Sequence, residues 1–249
     1  MDWSRAKTVM IVSFLLLNIL LGYQLWSDVR TQLNANANSA ELPADKLQIM
    51  QQKRITLSTN LPPETPMMGD LTYLLQSDSR DNRKATLIVP AVDSAVVFNE
   101  NQLEKTLGKL IPDLSEYVYD LHSSREGVRD GVFVMHRVVD GRPMFHTKLE
   151  LYNSNLKITG YLQDRVEITR TGEKQQVLAS SKIVSSLIET YLEPGAVIVD
   201  IQLGYYGQIF DSEVQVATPA WRVMLDDNKV YYVDAISGEV LTDNTEDKL

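Results

Sequence analysis

Apolar and polar positions along the chain fall into three regimes. Val9 to Trp26, VMIVSFLLLNILLGYQLW, runs eighteen residues without a charge. From about residue 55 onward, short stretches alternate apolar and polar side chains with the period of two expected of half-buried strands. Two stretches instead carry helical spacing: Leu103, Leu107 and Leu110 within 101–111, and Val184, Leu187, Ile188 and Tyr191 within 176–192. The pattern predicts a short helix over 44–52 and strands at 55–59, 71–75, 85–89 and 95–98. An order then occurs twice. The first helix leads into strands near 117–121, 132–139, 144–152 and 156–166. The second leads into strands near 196–206, 213–216, 221–225, 230–233 and 239–241. Anchors correspond at a constant offset, Pro143-Met-Phe145 with Pro219-Ala-Trp221 and Leu149 with Leu225. The expected fold is α+β: a single N-terminal transmembrane helix, then two similar units, each an antiparallel sheet with one packed helix. The expected divisions are a cytoplasmic tip and anchor over 1–27, a linker over 28–45, a first extracellular unit over 46–168 and a second over 169–249. The stretch Val230–Val240 predicts a strand, a tight turn at Asp234–Gly238 capped by the Asp234 carboxylate, and a return strand.

As a helix the apolar run is roughly 27 Å long, close to the hydrocarbon thickness of a bilayer. Arg5 and Lys7 precede it, while Asp28 and Arg30 cancel after it, which places the N-terminus in the cytoplasm and the remainder outside. Tyr23 and Trp26 suit the outer interface. The competing reading is a cleaved signal peptide. Its apolar region runs about 7–15 residues and ends at a small-x-small site. No such site lies in Gly22–Asp28, and Ala35-Asn-Ala37 is too far downstream, so the run is read as an uncleaved anchor. Within it Ile11, Leu15, Asn18, Gly22 and Leu25 recur at alternating spacings of four and three, the period of a helix–helix seam. These five are the expected transmembrane partner interface, because small residues and a mid-span amide favour close helix pairs in lipid. The alternative is that Asn18 bonds to a carbonyl of its own helix.

The chain carries a formal charge of −9, and residues 1–27 are not its source. An acidic outer part with no basic patch argues against nucleic acid and anionic headgroups as partners. Absence of cysteine excludes disulfides, thiolate catalysis and cysteine-ligated zinc. Of the three histidines, His136 and His146 could face each other across an Asp140-Gly141 hairpin, but a third metal ligand is not evident. Neither a His-Glu-x-x-His, a Gly-x-Ser-x-Gly nor a phosphate-cradling glycine loop is present. Asp226-Asp227, as strand neighbours, point apart and read as a hairpin tip. The expectation is a protein without catalytic, cofactor-binding or metal-binding residues. Tyr205 and Tyr206, like Tyr231 and Tyr232, should each place one ring outward, giving a possible ectodomain docking surface. Core filling explains the same rings equally well.

Several motifs together carry a resemblance. Asp2-Trp-Ser-Arg-Ala-Lys-Thr8 before the anchor, Ile158-Thr-Gly-Tyr-Leu-Gln163, Leu203-Gly-Tyr-Tyr206, Pro219-Ala-Trp-Arg-Val223 and Tyr232-Val-Asp-Ala-Ile-Ser-Gly-Glu239 resemble the YycI family, in order and over essentially the full length. The resemblance implies an accessory regulator of the cell-wall-sensing two-component kinase WalK/YycG. Such a regulator works with a YycH-like membrane protein through transmembrane helix contacts, and its sign of regulation differs among members. It implies no cofactor and no catalytic residue. The C-terminal motifs are also similar to PepSY-type domains. That resemblance implies the alternative of a membrane-anchored extracellular binding module or peptidase inhibitor.

Overall fold

The computed structural model describes residues 41–76, 84–126, 130–207 and 212–244, with residues 7, 10, 13–18 and 20–22 near the N-terminus. Those N-terminal residues are helical. Among the described residues no helix is long and apolar enough to cross a membrane, and the expected anchor over 9–26 falls only partly within them.

Helix α1 spans Ala44–Lys53, entered from Pro43 and ended by Arg54 in the left-handed region at φ 56°. Strands β1 (Thr56–Leu57), β2 (Met67–Met68), β3 (Leu71–Leu75) and β4 (Thr86–Asp93) follow. The expected strand at 95–98 is instead a 3-10 helix over Ser94–Phe98, started by the Asp93 carboxylate, which accepts from the Ala95 N–H at 2.8 Å. Helix α2 (Glu100–Leu107) is capped by the Asn99 side chain, which accepts from the Gln102 N–H at 3.1 Å. It buries Leu103 and Leu107 but stops before Leu110, which is exposed. Next come β5 (Tyr117–Glu126), β6 (Asp130–Val139), β7 (Arg142–Ser154), β8 (Lys157–Gln163), β9 (Val166–Thr171) and β10 (Gln175–Gln176). Helix α3 (Ser180–Thr190) begins after β10, since residues 175–176 pair with β2 rather than opening the helix. Strands β11 (Val197–Tyr206), β12 (Val214–Leu225), β13 (Val230–Asp234) and β14 (Val240–Asn244) complete the chain. The closing turn forms as its residues predict: the Asp234 carboxylate accepts from the N–H groups of Ile236 and Ser237, and Gly238 takes φ +80°.

The fold is mixed α+β, mostly sheet with few helices. The two expected sheets are not separate. Among the described residues twelve strands join one sheet, with β14-β13-β12-β11-β7-β6-β5 as its main path. The first half, β4-β8-β7-β6-β5, is antiparallel throughout. It meets the second where β11 lies parallel to β7, with Tyr205 opposite Met144. A Cβ at Gly204 would collide with the Pro143 carbonyl and the Phe145 ring, so only glycine lets the two strands approach there. Strand β12 pairs through its first residues with β3, and through later ones with β11 and β13. Each half carries one helix over its own core. Leu103 and Leu107 of α2 pack with Phe133, Met135, Leu149, Leu151 and Ile158. Ile183, Val184, Leu187 and Ile188 of α3 pack with Leu203, Trp221, Val223 and Val233, and also with Met50, Leu61, Leu71 and Tyr73 of the N-terminal arm.

Candidate functional site

Strand alternation decides where Arg222 points. Its neighbours Trp221 and Val223 are fully buried on the α3 side, and the Trp221 indole N–H donates to the Leu178 carbonyl at 2.9 Å. Arg222 therefore faces the opposite side of β12, yet its side chain is only 2% exposed. It is covered because the first half-sheet curls over that face, and two ladder irregularities mark the bend. On β7 three residues leave the ladder between the partners of His136 and Arg137. On β5 four residues leave it between Asp120 and Arg125. The Ser124 hydroxyl stitches this second irregularity, donating to the Asp120 carbonyl at 2.6 Å and accepting from the Val134 N–H at 2.9 Å.

The bend brings Asp120 of β5 and His136 of β6 against Asp200, Gln202 and Arg222 of β11 and β12. Arg222 Nη1 donates to the Asp120 carboxylate and to the Ser123 hydroxyl, and Nη2 to Asp200 and Gln202, both at 2.9 Å. Its guanidinium carbon lies 4.9 Å from the Phe145 ring centroid, a cation–π contact. Asp120 also accepts from His136 Nε2 at 3.0 Å, from the Ser123 hydroxyl at 2.8 Å and from the His122 N–H at 3.0 Å. Burial alone would raise the Asp120 pKa. The hydrogen bonds from His136 and Arg222 and the guanidinium charge outweigh burial and hold it far below the usual carboxylate range. Burial pushes His136 below the usual imidazole value, against the pull of Asp120. The ring is therefore neutral at pH 7, and because Nε2 donates to a carboxylate, Nδ1 is the bare acceptor. His136 Nδ1 and Arg222 Nε are buried and have no hydrogen-bond partner among the described residues. A cleft of about 520 Å³ opens beside this cluster, where the half-sheets meet. A second groove of about 500 Å³ lies between α2 and β5, next to the edge-to-face rings of Phe98, Tyr119 and Phe133.

The residues singled out in the sequence lie elsewhere. Leu15, Asn18 and Gly22 are helical, and the Asn18 amide donates to the Phe14 carbonyl of its own helix at 2.8 Å. Ile11 and Leu25 lie outside the described residues. Tyr205, Tyr206 and Tyr231 are buried and Tyr232 half-buried, so the expected outward ring is missing from the first pair. Both faces of β11 are covered: Tyr205 enters the α3 core, while Tyr206 stacks on Tyr232 at 4.1 Å and meets His146 at 4.4 Å. Tyr231 approaches Tyr191 at 6.3 Å. His136 and His146 have different surroundings, and among the described residues no three His, Cys, Asp or Glu side chains converge to hold a metal. Asp226 and Asp227 sit in the turn between β12 and β13. The Arg222 cluster escaped the sequence reading. Its signal was a guanidinium inside the apolar run Pro219-Ala-Trp-Arg-Val223, since a charge there requires buried partners.

The family model described as YycI protein matches residues 92–236, more than half of the chain. No curated protein matches the chain. Among solved structures, an uncharacterized protein from Eubacterium rectale is 16% identical at TM-score 0.36, over 50% of this chain and 46% of that one. The chain thus spans less than half the length of that protein. The C-terminal domain of Bacillus megaterium YpeB is 13% identical at TM-score 0.38, over 68% of this chain and 69% of that domain.

Proposed function

Because this chain belongs to the YycI family, we propose that it is a non-enzymatic accessory regulator of a WalK/YycG-type two-component sensor kinase. In this reading it is single-pass in the cell membrane, N-terminus cytoplasmic and C-terminal domain extracellular, and it acts with a YycH-type membrane protein. The family match over residues 92–236 is the observation that carries the proposal. In this reading the effector surface is the set Ile11, Leu15, Asn18, Gly22 and Leu25, spaced by alternating fours and threes. Asn18 exchanges its bond to Phe14 for one across a helix pair, a gain of about 0.6–2 kcal/mol in lipid. Gly22 has nothing within 4 Å where a Cβ would stand, which leaves room for a second backbone. A coupling of about 1–2 kcal/mol changes a kinase equilibrium roughly 5- to 30-fold.

The test replaces Asn18 and Gly22 together by leucine, and separately exchanges residues 9–26 for an unrelated apolar helix of equal length. Membrane two-hybrid signal with the kinase and expression of its target genes are read, with insertion verified. Both changes should abolish regulation while insertion persists. Retained regulation in either would reduce the helix to an anchor and sink the proposal.

A further inference from the structure

We propose that the cleft beside Arg222 is a binding site for a primary ammonium group carried on a short aliphatic chain. The inference is independent of the membrane-helix reading. A volume of about 520 Å³ is that of an ordinary small-ligand site, and such sites favour the junction between two structural units.

Charge selects the ligand's head. The floor holds one guanidinium, that of Arg222, and two carboxylates, those of Asp120 and Asp200, with His136 neutral. Both terminal nitrogens of Arg222 are already spent on Asp120, Asp200, Gln202 and Ser123. A carboxylate or phosphate entering here would meet a net negative floor and no uncommitted cation. A donor is what the floor can receive. Asp120 is engaged through both oxygens, whereas Asp200 gives Oδ2 to Arg222 and keeps Oδ1 for the cleft, with 20% of its side chain exposed. His136 Nδ1 adds a second acceptor without a partner, on a side chain only 3% exposed.

The walls select the tail. Val118 and Leu121, on the β5 rim, are 49% and 59% exposed, and Val138 and Pro143 continue the apolar lining. Exposed apolar side chains leading down to a carboxylate match an aliphatic chain ending in an ammonium. A free alkylamine and the lysine side chain of a peptide share this chemistry.

The test uses the full chain in lipid nanodiscs and isothermal titration with n-pentylamine, pentanoate and Nα-acetyl-lysine methylamide. Saturable binding of at least one amine, with pentanoate silent, is the expected result. Tighter binding of pentylamine assigns the site to free amines, and tighter binding of the lysine derivative assigns it to peptide lysines. Asp200→Asn should weaken binding about ten-fold or more, the loss of one charge-assisted hydrogen bond. Leu121→Lys, an exposed position that leaves the buried cluster intact, should abolish binding by placing its own ammonium in the cleft. Equal binding of pentanoate and pentylamine, no saturable binding of either amine, or undiminished binding in a folded Leu121→Lys protein overturns the proposal.

Discussion

Removing the Asp120 carboxylate would leave the guanidinium of Arg222, 2% exposed, with Asp200 as its remaining anion. Breaking one side of a buried ion pair costs about 3–5 kcal/mol, a large share of a domain's stability of about 5–15 kcal/mol. The same cluster sets the response to acid. The fold lowers the pKa of His136, so its contribution is complete above the unfolded value of about 6.5 and is lost as pH falls below it. The fold also lowers the pKa of Asp120, whose contribution is complete above about 3.9 and is lost as pH falls further. Urea unfolding should therefore give stability that declines from pH 7 to 5 and more steeply below 4. Asp120→Ala should be about 3–5 kcal/mol less stable at pH 7, with a flattened acid limb. Equal stability of the two proteins at pH 7 would show that the pair contributes nothing.

At the scale of elements, α3 depends on a residue far away in sequence. The Lys53 ammonium, at the end of α1, donates to the carbonyls of Ile188, Glu189 and Leu192 at 2.6, 3.3 and 3.3 Å. These lie in the last turn of α3 or just beyond it, where carbonyls lack intrahelical donors and the helix dipole favours a cation. Lys53→Met keeps the aliphatic stem and removes the charge. It should cost about 1–2 kcal/mol, read as an earlier chemical-unfolding midpoint at an unchanged slope. An unchanged midpoint would mean that water caps those carbonyls as well as the lysine does. The helices themselves were legible because their apolar spacing is local: Leu103 and Leu107, and Val184, Leu187 and Ile188, are buried as the period requires. The segment Ala95–Phe98 was misread because an apolar run of four residues fits a strand and a 3-10 turn alike. Only the Asp93 cap distinguishes them.

For the whole molecule, a chain beginning at Ser27 should be soluble, show a mixed α+β circular dichroism spectrum and, under the proposed function, lose regulation of the kinase. A disordered spectrum would mean that the two cores need residues 1–26. Both cores, those of α2 and α3, are built from residues at or after Leu42. What the sequence could not disclose at this scale is long-range. A parallel join of β7 to β11 and the meeting of Asp120 with Arg222 depend on how the sheet curls, and side-chain alternation along single strands carries no record of curl. The N-terminal arm shows the same thing, since Leu71 and Tyr73 sit in the core of α3 and β3 pairs with β12. That pairing orders the birth of the protein. Chains emerge N-terminus first at about 5–20 residues per second. The α2 core, complete by Ile158, can close while the rest is still being made. Leu71 and Tyr73 gain β9 as a partner by Thr171, but the arm receives Trp221 and Val233 only when the last strands arrive. During that interval one side of the N-terminal arm's core stays uncovered, and it is the last-made strands that close it.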